Sequence, residues 1–384
     1  MTSVENTKYK TWKYIDNDDL NYIEQILIFL NTEYPNTNDN PIWSKEYFEW
    51  KIGSKNPAGK GYMSIAMIDN EVVGIATLTL KYARICDSDL IIGEMGDCYT
   101  SISAIRKSKP FDLTAHNNDP KHYINKSIFG RLVFELRKRA EKDGIHVIFG
   151  TPNSKAYPGW VNKLDYFEYF GTSIHNYIRP TVFFFQNRFP KFFVINTFFF
   201  LFEKVFLKIF YFSFFNINRY NIVAGIPNLD DLERILVKIP ILNGFKINKN
   251  IDYIKYRFLH HPFANYVFFS VYKNNELLGY VITRIIKSES KKNNLAIVNW
   301  IGNETEILKS IVISKIIDYF KEIKIERIYT YATKNSNVSK LLNKSLFFKS
   351  SKVPIIFANN SINQFSKNVY FQTFSLNLGD TDAI

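Results

Sequence analysis

Apolar positions change period several times along the first half of the chain, and each change predicts an element. Leu20, Ile23, Leu27 and Leu30 recur at helical spacing behind Asp16-Asn17-Asp18-Asp19, which predicts a capped helix to about Thr32. Residues 43–51 read as a second, short helix, closed by Gly53 and the Asn56-Pro57 break. Residues 62–68 and 72–80 form the arms of a hairpin turning at Asp69-Asn70. Residues 90–100 are a further strand, and Gly93 and Gly96 inside it predict a bulge or a close backbone approach to a ligand. The polar stretch 101–122, broken by Pro110 and Pro120, reads as an irregular insertion. A helix follows over 126–143, with Ile128, Leu132, Val133 and Leu136 on one side. Residues 145–149 then make a buried strand that stops at Gly150-Thr151-Pro152-Asn153, because proline cannot continue a central strand. Tyr157-Pro158-Gly159 opens a short helix to Leu164, and a last strand lies near Phe167. Sheets of this kind place ligands where an apolar strand ends in a polar loop, so residues 145–154 are the expected active centre.

The second half repeats this grammar. Asp252-Tyr253-Ile254-Lys255-Tyr256-Arg257 before Pro262 echoes Glu46-Tyr47-Phe48-Glu49-Trp50-Lys51 before Pro57. Residues 270–279 echo 64–74, with Asn-Glu-x-x-Gly at each hairpin. Residues 325–329 with Asn335-Ser336 echo 145–154, and 343–348 echo 162–167. Matches in the same order predict an internal duplication, two copies of one α/β (α+β) unit. The expected division is an N-terminal domain over 1–177, a connector over 178–220 and a C-terminal domain over 221–384. Fifteen of the 35 phenylalanines fall between 183 and 215, with Thr197, Lys204 and Lys208 as one polar stripe. That pattern suits either an interfacial helix on anionic lipid or a connector buried between the domains.

Charge narrows the partners. The net charge of +13 attracts nucleic acid, anionic lipid or phosphorylated metabolites, but the lysines and arginines are spread without a block, so no nucleic-acid partner is expected. Cys86 and Cys98 form no CxxC and no Cys/His cluster with zinc spacing, and no metal is expected. Residues 1–13 are polar and lack the apolar centre of a secretory signal, so the expected location is the cytoplasm, with the aromatic connector available to the inner face of the membrane.

The stretch Tyr123-Ile124-Asn125-Lys126-Ser127-Ile128-Phe129-Gly130-Arg131-Leu132 enters the basic helix directly, and a helix start is a natural anion site. This entry, Gly93 to Asp97, and Gly150-Thr151-Pro152-Asn153-Ser154 with Tyr157-Pro158-Gly159 and Lys163-Leu164 resemble the GNAT (GCN5-related N-acetyltransferase) superfamily. The likeness is to tandem-domain members found with bacterial surface-polysaccharide genes. It covers about residues 40–170, and about 250–360 as a second copy.

The resemblance implies two GNAT-like domains, each a mixed, mostly antiparallel twisted sheet flanked by helices. An acetyl-CoA, another acyl-CoA or an acyl-carrier-protein arm would lie in a V-shaped gap between residues 90–100 and 145–149. Its pyrophosphate would sit on the amides of Asn125, Lys126, Ser127, Ile128, Phe129 and Gly130, with Met95 and Asn153 along the arm. The chemistry implied is direct attack of an amine on the thioester, which needs a base, an amide to polarise the carbonyl and an acid for the sulfur. Asp97, then Glu94, is the expected base; three apart on a strand, the two should face opposite sides of the sheet. Tyr157 is the expected acid. The family's close-approach glycines are missing at Ile124-Asn125-Lys126-Ser127, which predicts an altered donor preference. Trp300-Ile301-Gly302-Asn303-Glu304 carries no glycine-rich loop either, so the second copy is expected to have lost the donor and to help form the acceptor site, with His260 and His261 as contacts.

The leading expectation is therefore an N-acyltransferase acting on the amine of a nucleotide-linked amino sugar for surface-polysaccharide biosynthesis. Two others stand beside it. One is Fem-type aminoacyl transfer to a lipid-linked peptidoglycan precursor, which the positive charge and the aromatic run suit. The other is a non-catalytic membrane-surface binding protein on the same scaffold.

Overall fold

The computed structural model describes residues 12–35, 43–85, 88–104, 127–168, 174–181, 184, 219–239, 244–287, 292–334, 336–358 and 373–375. Most of the aromatic connector and of the insertion, with Asn125 and Lys126, lies outside them.

The first repeat runs β1 (Lys13–Asp16), α1 (Ile23–Glu33), α2 (Lys45–Ile52), β2 (Tyr62–Ile68), β3 (Glu71–Ile85), β4 (Ser88–Thr100), α3 (Ile128–Lys142), β5 (Ile148–Gly150), α4 (Tyr157–Lys163) and β6 (Tyr166–Glu168). Local chemistry sets most of these bounds. The Ser44 hydroxyl accepts the Tyr47 amide and starts α2, and Ser127 does the same for Gly130 at α3. The β2–β3 turn carries Asp69 and Asn70 at φ 50° and 67°, the left-handed pair that a two-residue hairpin loop requires. Ile26, Leu30, Phe48, Ile65 and Ile75 pack α1 and α2 on one face of the sheet. Leu78, Leu132, Leu136, Ile148 and Trp160 pack α3 and α4 on the other.

The first repeat ends with β7 (Ile174–Pro180), and the second runs β8 (Tyr220–Ala224), α5 (Leu229–Lys238), β9 (Gly244–Ile247), α6 (Ile251–Ile254), β10 (Tyr266–Lys273), β11 (Glu276–Lys287), β12 (Asn293–Gly302), α7 (Glu304–Ile307), α8 (Ser310–Tyr319), β13 (Arg327–Thr333), α9 (Asn337–Lys344), β14 (Phe348–Val353), β15 (Ile356–Ala358) and β16 (Thr373–Ser375). Its hairpin turn, Asn274-Asn275, has the same φ values of 50° and 67°. Both hairpins slip register at the same place: Met67 meets Val72 after Ala66 meets Gly74, and Tyr272 meets Leu277 after Val271 meets Gly279. The repeats also hold each other reciprocally. Trp50 Nε1 donates to the Tyr256 carbonyl at 3.1 Å, and the Tyr256 hydroxyl donates to the Trp50 carbonyl at 2.7 Å. These are equivalent positions in the two copies, so the contact has the form of a two-fold relation.

Among the described residues the strands form two sheets, and each repeat completes the other's. The first has the order β1-β2-β3-β4-β5-β15-β6, with β9 on β3 and β16 on β9; the second has the order β14-β7-β13-β12-β11-β10-β8. β15, from the end of the second repeat, lies between β5 and β6, pairing Ile356 with Gly150 and with Glu168. β7, which follows β6 in the chain, lies between β13 and β14, pairing Ile174 with Thr333 and with Val353. The expected boundary at residue 177 falls inside β7, and residues 178–180 and 220, set aside as connector, are strand residues of the second sheet. An apolar layer containing Ile85, Phe149, Phe245, Phe258, Ile282 and Val298 joins the repeats.

Candidate active site

β4 and β5 run parallel and stay paired for three residues: Gly93 with Ile148, Glu94 with Phe149 and Met95 with Gly150. The pairing ends there, at the last residue of β5. β5 ends at Gly150, one residue past the expected end, and begins at Ile148 rather than Ile145. β4 continues through residues 96–100, all only half-buried. On its other side β4 bulges, with Asp97 and Cys98 together opposite Ala76 between the pairs Thr77–Gly96 and Ile75–Tyr99. Asp97 takes φ 41° there, a conformation that short polar side chains tolerate best. Of the two glycines within β4, Gly96 borders this bulge, whereas Gly93 is regularly paired with Leu80 and Ile148.

The second repeat has an equivalent short parallel pairing in more deeply buried surroundings. β12 and β13 pair over Asn294–Arg327, Leu295–Ile328 and Ala296–Tyr329. Residues 297–301 are nevertheless all buried, with Trp300, Leu308 and Leu342 in one packed cluster. Thr330 Oγ1 donates to the Ile297 carbonyl at 2.8 Å between the two strands. Beside the start of α8, the Glu306 carboxylate accepts from Lys309 at 2.7 Å, from Lys273 at 3.0 Å and from the Tyr220 hydroxyl. Burial alone would raise the Glu306 pKa, but those three bonds outweigh it and hold the group at about 2. A carboxyl depressed from its ordinary value of 4.5 stabilises the fold above that pH and loses the contribution as pH falls towards 2. The expected loss is about 3 kcal/mol, and acid titration of unfolding should show it in the native chain but not in Glu306→Gln.

Both candidate bases are in buried ion pairs. Asp97 Oδ2 lies 2.7 Å from Lys51 Nζ and accepts the Tyr47 hydroxyl at 3.2 Å; the two charged side chains are 9% and 1% exposed. Glu94 Oε2 lies 2.9 Å from Lys81 Nζ, with both side chains nearly inaccessible. The expectation that the acids face opposite sides of the sheet is corrected by the bulge. A Cβ at Gly96, two residues after Glu94 and so on its face, would lie 3.1 Å from Lys51 Nζ, the atom that binds Asp97. The left-handed turn at Asp97 brings its carboxylate onto that same face. Asp97 stands directly past the last β4–β5 pair, whereas Glu94 lies within the paired segment. Lys51→Met should destabilise the fold by about 3–5 kcal/mol in a denaturant titration, because it leaves a buried carboxylate without its lysine. Adding Asp97→Leu to that variant should recover most of the loss.

Around the gap the remaining residues are placed as follows. Met95 is buried with its backbone on Gly150. Ser127 caps α3 and its hydroxyl takes the Gly130 amide at 3.2 Å, so Ile128 and Phe129 are the described first-turn residues whose amides that cap leaves. The Asn153 side-chain oxygen accepts the Lys155 and Ala156 amides at 3.1 and 2.9 Å, shaping the loop into α4. The Tyr157 hydroxyl donates to Glu168 at 2.8 Å, and that bond, with burial, raises its pKa. Glu168 also pairs with Lys352 of the second repeat. The Tyr157 hydroxyl is thereby turned towards β6, two strands from the gap. Cys98 is half-buried, donates to the Gly96 carbonyl at 3.3 Å, and burial pushes its thiol pKa up, which suits packing rather than nucleophilic work. The His261 ring nitrogen Nδ1 accepts the Phe263 and Ala264 amides, and the ring lies 4.3 Å from that of Trp50. Lys51, Lys81, Glu168 and Lys352 were not anticipated. Lys51 alone had a signal, since it closes the motif that recurs as Arg257.

Residues 229–353 match the acetyltransferase (GNAT) domain family. That match lies in the second repeat, whereas the half-buried strand ends lie in the first. No curated protein matches the chain. Among solved structures, a probable N-acyltransferase of unknown function from Enterococcus faecalis is similar at TM-score 0.54 and 10% identity, over 91% of this chain and 73% of that one. Yeast N-myristoyltransferase with bound myristoyl-CoA is similar at 0.53 and 12%, over 92% and 80%. A tandem GNAT protein from the clavulanic acid biosynthesis pathway is similar at 0.52 and 10%, over 91% and 99%. At these identities the structural likeness establishes the fold, that of two GNAT-like domains in tandem. With the family match it supports an acyltransferase.

Proposed function

We propose that the chain is an N-acyltransferase moving an acetyl or other short acyl group from acyl-CoA to the amine of an amino sugar. The nucleotide-linked form, serving surface-polysaccharide assembly, is the one the resemblance implies. One observation carries the reading. Of two equivalent short parallel pairings, the second runs on into fully buried residues, 297–301, and the first into half-buried ones, 96–100, beside a carboxylate. A thioester arm entering between β4 and β5 would meet the edge of β4 past Met95, whose amides can polarise its carbonyl. The amine would attack the carbonyl carbon, the carbon–sulfur bond would break, and Asp97 would take the ammonium proton. Tyr157 is the proposed donor to the departing sulfur, a role that requires its hydroxyl to leave Glu168 and turn back towards the gap. Asn125, Lys126 and the first turn of α3 are proposed to hold the pyrophosphate.

The test is release of free thiol from acetyl-CoA in the presence of a panel of amines. Turnover with at least one amino sugar is expected. No thiol release with any amine would remove the proposal. Loss of turnover after ribonuclease treatment would instead favour an aminoacyl-tRNA donor.

A further inference from the structure

The end of α2 carries Lys51, the partner of Asp97, and the second repeat closes that end. The last carbonyls of a helix lack intrahelical partners. In α2 the Glu49 carbonyl accepts the Gly53 amide at 3.0 Å, and the Ile52 carbonyl accepts the Gly61 amide at 2.8 Å. The Trp50 carbonyl accepts the Tyr256 hydroxyl, from the π-helical turn Lys255–Leu259 that continues α6. The same turn holds the Trp50 side chain. Trp50 Nε1 donates to the Tyr256 carbonyl, and the two rings stack with centroids 5.1 Å apart and planes 17° from parallel. The Arg257 guanidinium lies 5.2 Å over the indole, and the His261 ring packs on it at 4.3 Å. Trp50, Tyr256 and Arg257 are all buried. From this grip the path to Asp97 is one residue long. Lys51 Nζ lies 2.7 Å from Asp97 and donates to the Tyr47 hydroxyl at 3.3 Å, and that hydroxyl donates to Asp97. The copies thus use equivalent cations differently. Lys51 is turned onto the carboxylate, and Arg257, its counterpart, onto the Trp50 ring that anchors Lys51.

We infer that Tyr256 of the second repeat is a positioning residue for acyl transfer in the first: through Trp50 it holds the end of α2, and with it Lys51, in register with Asp97. This rests on the acyl transfer proposed above, with Asp97 as its base, and deepens it by giving the second repeat a task at that site. Helix ends are the parts of a fold that open most readily. A buried carbonyl that loses its donor costs free energy until it finds another, so the last turn of α2 yields first when the Tyr256 hydroxyl is removed. Lys51 cannot follow such a shift without moving off Asp97. Its ammonium is enclosed, and even a Cβ at Gly96 would come within 3.1 Å of it. A base displaced from its place loses rate in the chemical step, whereas the donor, bound on the other side of β4 and β5, is untouched.

The test uses the full chain and Tyr256→Phe, which keeps the ring and removes the hydroxyl. Buried, paired lysine ammonium groups exchange their protons slowly enough to be seen by nitrogen-15 NMR. The Lys51 signal is recognised by its contact with the Tyr47 ring, 5.6 Å from centroid to Nζ. Lys81, paired with Glu94 on the sheet itself, is the internal control. Tyr256→Phe should speed exchange at Lys51 about tenfold and leave Lys81 as it was. In thiol release, kcat should fall about tenfold, with KM for acetyl-CoA and the thermal shift by CoA unchanged. Trp50→Phe, which removes the indole donor from the same contact, should act in the same direction. Equal acceleration at both lysines would mean a loss of global stability alone, and none at Lys51 would mean an α2 end that stands by itself; either overturns the inference. So would native kcat with a loosened Lys51, or a raised KM for acetyl-CoA at native kcat. Ammonium exchange is read without turnover. Selective loosening of Lys51 in a chain that releases no thiol would therefore sink the proposed reaction while leaving the hold of Tyr256 on α2.

Discussion

Cut once between residues 185 and 218, the chain should give no folded product from either piece alone and a single folded complex when both are produced together. β15 leaves with the second piece and β7 with the first. Ile355, Ile356, Phe357 and Ala358 are at most 6% exposed, and burying each large one is worth about 1.5–3 kcal/mol. Losing them, with the ladder bonds to β5 and β6, removes an amount comparable to the whole stability of a domain, about 5–15 kcal/mol. β7 is as central in the other sheet, with Ile174 and Tyr177 at 1% and 2% exposure. Co-purification of the pieces, with far-UV circular dichroism of each alone, checks this. A cooperative unfolding transition from the first piece by itself would show the exchange to be dispensable.

Gly150→Leu should abolish thiol release while leaving the chain folded. Gly150 sits at the last β4–β5 pair, and a Cβ there would lie 3.4 Å from the Met95 carbonyl oxygen and 3.9 Å from Ile356. Those are ordinary contacts, so Gly150→Ala should be close to native in stability and retain activity. A leucine extends further into the place where the arm must enter, at an overpacking cost of about 1–3 kcal/mol. Displacing a thioester by even an ångström or so can cost about 100-fold, so activity should fall at least that far. Donor binding, followed by thermal shift with CoA, should fall with it. Native activity in Gly150→Leu would place the donor elsewhere in the molecule.

Much of the fold was legible because its signals are local. The Asp69-Asn70 and Asn274-Asn275 turns and the period of β2 and β3 are each written within a few residues, whereas Asp16 to Asp19, read as a helix cap, lie in β1 and the turn after it, and α1 starts behind Tyr22 with no side-chain cap. The duplication was legible for the same reason, since it is a comparison of short stretches. The exchange of β7 and β15 was not. A three-residue strand such as Ile356-Phe357-Ala358 looks the same whichever sheet receives it, and only long-range packing decides. The site was half legible. Gly93 and Gly96 pointed to the bulge, but strict alternation put Glu94 and Asp97 on opposite faces, and the left-handed turn at Asp97 reversed that. The lysines opposite them, Lys51 on α2 and Lys81 on β3, carry no sign in the sequence that they are buried.

The position of β15 also sets a schedule for the newborn protein. Its slot between β5 and β6 is made once Glu168 leaves the ribosome, but Ile356 emerges only after the intervening stretch is synthesised, roughly 10–40 s later at ordinary elongation rates. Throughout that interval two strand edges of the nascent first sheet stay unprotected, a state prone to clumping. The cell must shelter the half-made chain until its tail arrives.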